Sequence, residues 1–316
     1  MTLTRRATLA LPFLAAPALA QARPVRLLVG FAPGGAADTI ARLVSARMGE
    51  HLGQTVVVEN RSGASGTIAA AQVAQSAPDG TSLLFATLTH ATNPFLFQGL
   101  PFDYATAFAP VSQVVIWPQI LAVKNDFPAQ SFAEFLALAR ARPATISYGT
   151  PGNATAQHLI GEMLQRQADI RLVHVPYRGG ADAARDLSAG VIDAAFMTTS
   201  TALPILSGNR ARLLAAATTT RLRAYPNTAT IAESGIPGFE LNDWCAIFAP
   251  AGTATATLTR THAALTHALA NPDVQTRLRD LSTEPVGSTP EAFTQHLARE
   301  STRLGTLIRD ANIRIG

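Results

Sequence analysis

The residues of this 316-residue chain whose types and spacing could do chemistry sit in five short loops built from small residues. The first is Phe31-Ala32-Pro33-Gly34-Gly35-Ala36-Ala37-Asp38, where two glycines let backbone approach a ligand closely and free N–H groups face outward at a helix start. Asp38 is placed to cap that helix. The second is Asn60-Arg61-Ser62-Gly63-Ala64-Ser65-Gly66-Thr67. The third, Thr87-Leu88-Thr89-His90-Ala91-Thr92-Asn93-Pro94, is rich in hydroxyls. The fourth runs Tyr148-Gly149-Thr150-Pro151-Gly152-Asn153-Ala154-Thr155, and the fifth Val175-Pro176-Tyr177-Arg178-Gly179-Gly180. One such loop is an ordinary turn. Five at comparable positions, in both halves of the chain, form a ring of N–H and hydroxyl donors with few fixed cations. That chemistry suits a carboxylate held by backbone amides and helix dipoles. Arg178 offers a bidentate contact, although a solvated arginine beside a turn is the plainer role. His90 and His158 read as structural hydrogen-bonders. Phe31 reads equally as a stacking surface or a packed ring, and Trp244 and Cys245 as core.

These loops need elements to position them. From Val25 onward, short apolar runs alternate with helical patterns: strands at 25–29, 56–59 and 82–87, and helices at 38–51 and 67–75. After a β-rich run over 111–123 the alternation resumes. Helices are expected at 131–142, 155–167 and 181–189, and strands at 145–148, 171–175, 191–197 and 213–217. Ser131 with Glu134 makes a capping box, and Pro78-Asp79-Gly80 a turn. An apolar run at 244–248 precedes helical patterns at 257–270, 272–281 and 290–308. Strand–helix alternation predicts α/β architecture, with mainly parallel sheet covered on both faces. Two sheet-centred units are expected, the first comprising 21–108 plus 250–316 and the second 109–249. Their crossings near 109–123 and 240–250 would make a hinged cleft, and loops following strands are where open α/β sheets bind ligands.

Bulk properties narrow the partners. Apolar residues make up 47% and charged residues 15%, enough to bury a sizeable core. The net charge of +4 includes Arg5 and Arg6 of a basic, then apolar, leader ending in Ala18-Leu19-Ala20. Residues 1–20 read as a signal peptide cleaved near Ala20-Gln21, giving a periplasmic product of about +2. Pro12 and Pro17 break the leader too early for a stable membrane span. Arg5-Arg6 leaves both general and twin-arginine export open. No basic stripe interleaves with aromatics, so no nucleic-acid partner is expected. The single cysteine, Cys245, excludes an internal disulfide and a thiol-rich metal site. No cofactor is expected, and the protein is expected to be a monomer.

The same loops carry a resemblance. Val29-Gly30-Phe31-Ala32-Pro33-Gly34-Gly35-Ala36-Ala37-Asp38 resembles the opening signature of the tripartite tricarboxylate transporter receptors, also called Bug solute-binding proteins. Val58-Glu59-Asn60-Arg61 with Gly63-Ala64-Ser65-Gly66 is similar to that family's second loop. Tyr148-Gly149-Thr150, Gly152-Asn153-Ala154-Thr155 and His158-Leu159 resemble the fourth. His174-Val175-Pro176-Tyr177-Arg178-Gly179, with Asp186-Leu187, Gly190 and Asp193, is similar to the crossover motif. Pro226, Thr230, Glu233, Gly235, Pro237, Gly238, Trp244 and Phe248-Ala249-Pro250-Ala251-Gly252 complete a series spanning nearly the whole mature chain. The resemblance implies a periplasmic binding protein type II-like fold of two lobes with the ligand at the hinge. It implies a small mono- or dicarboxylate ligand, directly held or water-bridged, and membrane permease subunits as partners. By position it carries ligand-binding roles to Phe31, Ala32, Gly34, Gly35, Asp38, Ala64, Ser65, Thr87, Thr89, Thr150, Gly152, Asn153, Thr155, Tyr177, Arg178 and Asp193. Pro151, Gln157 and Leu88 depart from the forms that the resemblance leads one to expect, which puts ligand identity in doubt.

Other functions weigh less. Gly-x-Ser-x-Gly, His-Glu-x-x-His, Gly-x-Gly-x-x-Gly and the Walker A pattern are all missing, which counts against a hydrolase or a nucleotide enzyme. A triad from Asp38, His90 and a serine would need geometry to assemble it. Ligand-driven closure would serve a sensor with a membrane signalling partner as well as a transport receptor.

Overall fold

The structure, a computed structural model, describes residues 23–310 and 312–314. The expected signal peptide and its cleavage site lie outside the described residues. The first half lays down β1 (Val25–Val29), α1 (Ala36–Leu52), β2 (Val56–Asn60), a 3₁₀ turn (Ala64–Gly66) leading into α2 (Thr67–Ala74), β3 (Ser82–Thr87) and α3 (Thr89–Leu96). Next come β4 (Phe108–Trp117), β5 (Gln119–Lys124), α4 (Phe132–Ala141), β6 (Ser147–Thr150), α5 (Ala156–Ala168), β7 (Val173–Pro176), α6 (Gly180–Ser188), β8 (Ala194–Thr198), α7 (Thr199–Ser207) and β9 (Ala211–Ala216). The chain closes with β10 (Asp243–Pro250), α8 (Thr255–Ala270), α9 (Pro272–Asp280), β11 (Glu284–Pro285) and α10 (Pro290–Asp310).

Two sheets result, ordered β11-β4-β10-β3-β1-β2 and β7-β6-β8-β5-β9. Each contains a three-stranded parallel unit, β3-β1-β2 in one and β7-β6-β8 in the other. The sheets are nevertheless more mixed than the alternation suggests. β10 and β5 run antiparallel to their neighbours because they are the strands on which the chain passes between lobes. Pro118 marks the first passage: it has no N–H for a ladder, so the β-rich run divides there into β4 and β5. β4 pairs with β10 from Asp243↔Trp117 to Pro250↔Phe108, which places both strands in the six-stranded sheet. The lobe change therefore falls at Pro118 and between 217 and 242, inside the segment 109–249 expected to form the second lobe.

Both sheets are covered on both faces, which is why β3, β8 and β10 are buried at every position. On one face of the six-stranded sheet, α1, α8 and α9 pack through Ile40, Val44, Leu265 and Leu278. On the other, Phe293, Leu304 and Ile308 of α10 join a core that continues into the second lobe through Tyr148, Leu159 and Phe196. Truncating a fully buried ring such as Phe293 to alanine typically costs about 3–5 kcal/mol. α3 falls on the third expected loop, and α7 on a stretch to which no element was assigned. Their sequences are rich in Thr and each contains a proline, Pro94 or Pro204, so local propensity argues against helix. Packing overrides it, helped in α7 by Thr198, whose side chain accepts a hydrogen bond from the Thr201 N–H.

Candidate ligand-binding cleft

The loops gather at the C-terminal ends of the parallel strands of both sheets, around a narrow cleft and a chamber beside it. Gly35, Ala36 and Ala37 at the start of α1 line one wall. Thr155 and Gln157 of α5, Gly180 of α6, and Thr198 and Thr201 of α7 line the other, while Trp117 and Asp243 on the hinge strands form the floor. Four helix N-termini thus meet at one space, each leaving first-turn N–H groups without intrahelical acceptors. Two of these helices are capped by their own hydroxyls: Thr155 accepts from His158 N–H and Thr198 from Thr201 N–H. α1 and α6 begin instead at Gly35 and Gly179, with no side-chain cap. No lysine, arginine or histidine is among the described lining residues, and the one ionisable side chain among them is Asp243.

An outer chamber adjoins the cleft, lined by Ala64, Ser65, Gly152, Asn153, Tyr177 and Arg178 among others. Phe31 is 7% exposed and walls both spaces, so it is a packed ring and a lining surface at once. Ala64 and Ser65 hold left-handed backbone (φ 44° and 52°), turning the second loop toward the opposite lobe. Ser65 Oγ donates there to the Asn153 carbonyl. The lobes are shut: Ala32 N–H donates to Arg178 O at 3.2 Å, Thr92 Oγ1 to Ala154 O at 2.7 Å, and Thr199 Oγ1 to Leu281 O at 3.0 Å. Gly179 makes this closeness possible, since a Cβ there would lie 2.9 Å from Ala32 Cβ and 3.0 Å from Ala32 N.

Several residues expected to bind ligand do other work. Asp38 is the third residue of α1 rather than its cap. Its carboxylate accepts from Gly34 N–H (2.9 Å), Asn60 Nδ2 (2.9 Å) and Arg42 Nε (2.9 Å), which fixes the first loop's shape. Burial would raise its pKa, but the bonds from Arg42, Gly34 and Asn60 outweigh that and hold it below the usual carboxylate range. Thr150 is fully buried with Oγ1 2.6 Å from His174 Nε2, and it is not among the lining residues. Thr89 bonds Thr87 at 3.2 Å and borders a separate space behind Phe31 with Gly66 and His90. Thr87 itself reaches the cleft. Tyr177 OH donates to Asp186 at 2.9 Å. Asp193 lies just before β8, at the opposite end of that strand from the cleft. There it meets Lys124 Nζ at 2.9 Å and accepts from Ser147 N–H and Oγ, away from the cleft where a ligand role was expected.

The two histidines divide. His158 Nδ1 accepts from Ala154 N–H at 3.2 Å, holding the fourth loop. His90 instead stacks on Phe248 at 3.8 Å, and burial lowers its pKa to about 3. Asp38 is committed to Arg42 and His90 to this aromatic cluster, so the suggested triad does not form.

Sequence reasoning passed over the cleft floor. Asp243 is buried, and desolvation pushes its pKa up to about 6. It accepts from Trp244 N–H (2.8 Å), Leu88 N–H (3.3 Å) and Gln157 Nε2 (3.4 Å). Gln119 donates to Trp117 O at 2.9 Å and accepts from Gln157 Nε2 at 2.7 Å. The available signal was one carboxylate at the head of an otherwise apolar run, 243–250.

Comparison with known proteins agrees with this architecture. Residues 40–313 match the family model of the tripartite tricarboxylate transporter family receptor. The periplasmic binding protein BugD superposes with a TM-score of 0.89 at 32% identity, over 93% of this chain and 99% of that one. Rpa4515 of R. palustris, solved with adipate, gives 0.89 at 34% identity, covering 93% and 98%. MatC of Rhodopseudomonas palustris, solved with malate, gives 0.86 at 31% identity, covering 91% and 99%. These relatives are binding proteins rather than enzymes. The chain is a solute-binding receptor of the tripartite tricarboxylate transporter receptor family.

Proposed function

We propose that this receptor captures a small carboxylate in the periplasm and presents its closed form to the membrane permease subunits of a tripartite transporter. The observation carrying this reading is the convergence of four helix N-termini, from two hinged lobes, on one inner cleft with no cationic side chain among its described lining residues, Arg178 lining the chamber outside it. Such a site compensates a negative charge with oriented N–H groups and helix dipoles, which suits reversible capture better than a fixed ion pair. Gly35, Thr87 and Thr155 at the cleft, and the Ala64-Ser65 turn with Gly152 and Asn153 at the outer chamber, are the contacts assigned here. Adipate and malate in the related structures support the ligand class.

The test is calorimetric titration with a panel of mono- and dicarboxylates, beside thermal melts. A true ligand at a hundredfold over its Kd stabilises the native state by about 2.7 kcal/mol. Gly179→Ala separates binding by closure from binding by one lobe. At φ 177° the backbone accepts alanine, but its Cβ would strike Ala32 only when the lobes are shut. Both lobes stay folded and affinity falls at least about tenfold, the penalty set by whichever share of binding energy needs closure. A panel without a single binder would defeat the reading.

A further inference from the structure

We infer that Asp243 and Gln157 form an acceptor pole that selects a carboxylate bearing a hydrogen-bond donor, an amine in first place, at the end of the ligand that reaches the cleft floor. The inference rests on the receptor reading above and names the ligand more closely. Its physical basis is the polarity of the floor. Gln119 Nε2 donates to the Trp117 carbonyl, which can only accept, and this turns Gln119 Oε1 toward Gln157. Gln157 must answer with its Nε2, which also reaches Asp243 Oδ2. The amide orientation is thereby fixed, and Gln157 Oε1 is left as an acceptor without a partner on a side chain only 2% exposed.

An unpartnered buried acceptor is costly unless something supplies a donor. Beside it stands Asp243, 5% exposed, whose three hydrogen bonds come from neutral donors and which has no cation partner among the described residues. A second ligand carboxylate at this end would face one carboxylate and one amide carbonyl oxygen with no positive charge, against a single neutral donor, the unpartnered Trp117 indole N–H. An ammonium would satisfy both, and a hydroxyl one of them. The helix-N-terminal wall and the acceptor floor are therefore complementary to a ligand that is negative at one end and donating at the other.

A matched four-carbon series tests this: butyrate, 4-hydroxybutyrate, 4-aminobutyrate, succinate, malate and aspartate, with adipate as an unsubstituted longer acid. Affinities are read by calorimetry at pH 8 and pH 5. Amine-bearing members should bind at least about tenfold more tightly than butyrate or succinate, since a site built for a donor rejects the analogue lacking it. The preference should weaken at pH 5, below the value of about 6 at which Asp243 takes a proton. The groups facing Asp243 from neighbouring elements, Thr87, Leu88, Trp117, Gln119 and Gln157, are uncharged, and Cys245 two residues along is the titratable group coupled to it.

Asp243→Asn should erase most of the amine preference. Gln157→Leu, which leaves the aspartate in place, should reduce it in part and keeps the test alive if the first variant folds poorly. Equal or tighter binding of butyrate, succinate or adipate, or an unchanged ranking in both variants, overturns the inference while the receptor reading stands. Failure of all seven acids and of the wider carboxylate panel removes both.

Discussion

The loop that opens α1 and the hinge strand β10 each bury an aspartate, and the two are opposites. Asp38 is 4% exposed and Asp243 is 5% exposed, so geometric burial does not distinguish them. Their partners do. Asp38 meets a guanidinium, a side-chain amide and a backbone N–H, and its pKa falls. Asp243 meets two backbone N–H groups and one amide, with no cation, and its pKa rises to about 6. A saturated carboxylate organises a loop. An under-compensated one at the floor of a cleft holds strain that a ligand can relieve. The contrast separates residues that shape this site from residues that would read its contents.

The most disruptive way to break the contrast is Asp38→Ala. It leaves Gly34 N–H without its acceptor, takes one of two acceptors from Asn60 Nδ2, which keeps the Phe31 carbonyl, and removes the carboxylate partner of Arg42, which keeps only Asn60 Oδ1. Charge-assisted bonds are worth about 1.5–3 kcal/mol each, but Arg42 is half exposed, so a loss of about 2–4 kcal/mol in urea unfolding is expected. Binding should fall with it, because the α1 N-terminus is no longer held. The stabilisation from Asp38 is present in full above the ordinary carboxylate pKa of about 4. It is lost as pH falls through the depressed folded value. A variant as stable as the parent at pH 7 would show that the first loop holds its shape without this latch.

Asp38 also shows what the sequence makes legible. Its place beside Gly34-Gly35 marks a functional loop, yet its type alone does not say whether it faces ligand or loop. The paired strands at 25–29 and 82–87 were readable because continuous apolar runs of that length become buried parallel strands. The start of α7 was not, since Thr198-Thr199-Ser200-Thr201 has poor helix propensity and forms a helix through its cap and its packing. Asp243 stayed hidden inside an apolar run whose pairing with Trp117 becomes visible only once β4 and β10 are side by side. The departures at Leu88 and Gln157 touch Asp243 directly, and Pro151 lines the same cleft, so the positions that put ligand identity in doubt surround the floor.

Asp243→Asn reverses the sign of the first prediction. The asparagine keeps an oxygen for Leu88 and Trp244 and loses the desolvated charge. A shift from 3.8 to about 6 sets the neutral-pH penalty at roughly 2–3 kcal/mol, so a gain of about 2 kcal/mol is expected at pH 8 without ligand. Because the folded pKa is raised, native Asp243 holds its proton over the window from about 4 to 6, and the apo parent loses stability as pH climbs through it. The gain should therefore shrink toward zero by pH 4. Thermal melts across pH 4 to 8 measure it, and a variant destabilised at pH 8 would show that the carboxylate is structural like Asp38.

Thr155→Ala tests the wall between these extremes. Thr155 caps α5 by accepting from His158 N–H and donates to Gly152 O at 2.7 Å. Loss of an N-cap costs about 1 kcal/mol. The side chain also lines the cleft, so affinity should drop by more than the stability loss alone accounts for. Equal losses in melting and in titration would assign Thr155 to the scaffold.

The smallest effect belongs to Asp193, a third carboxylate that sharpens the comparison because it lies beyond the cleft. Burial raises its pKa, but Lys124 and Ser147 outweigh this and lower it, the same pattern as Asp38. Its ion pair with Lys124 is about a quarter exposed on each side, where solvent screening leaves at most about 1 kcal/mol. Asp193→Asn keeps an acceptor for Ser147 and should cost no more than that, with carboxylate affinity unchanged within twofold. If affinity falls tenfold with the melting point preserved, the binding site extends along β8 to its far end, and the assignment of the site to the helix-N-terminal side of the sheets is wrong.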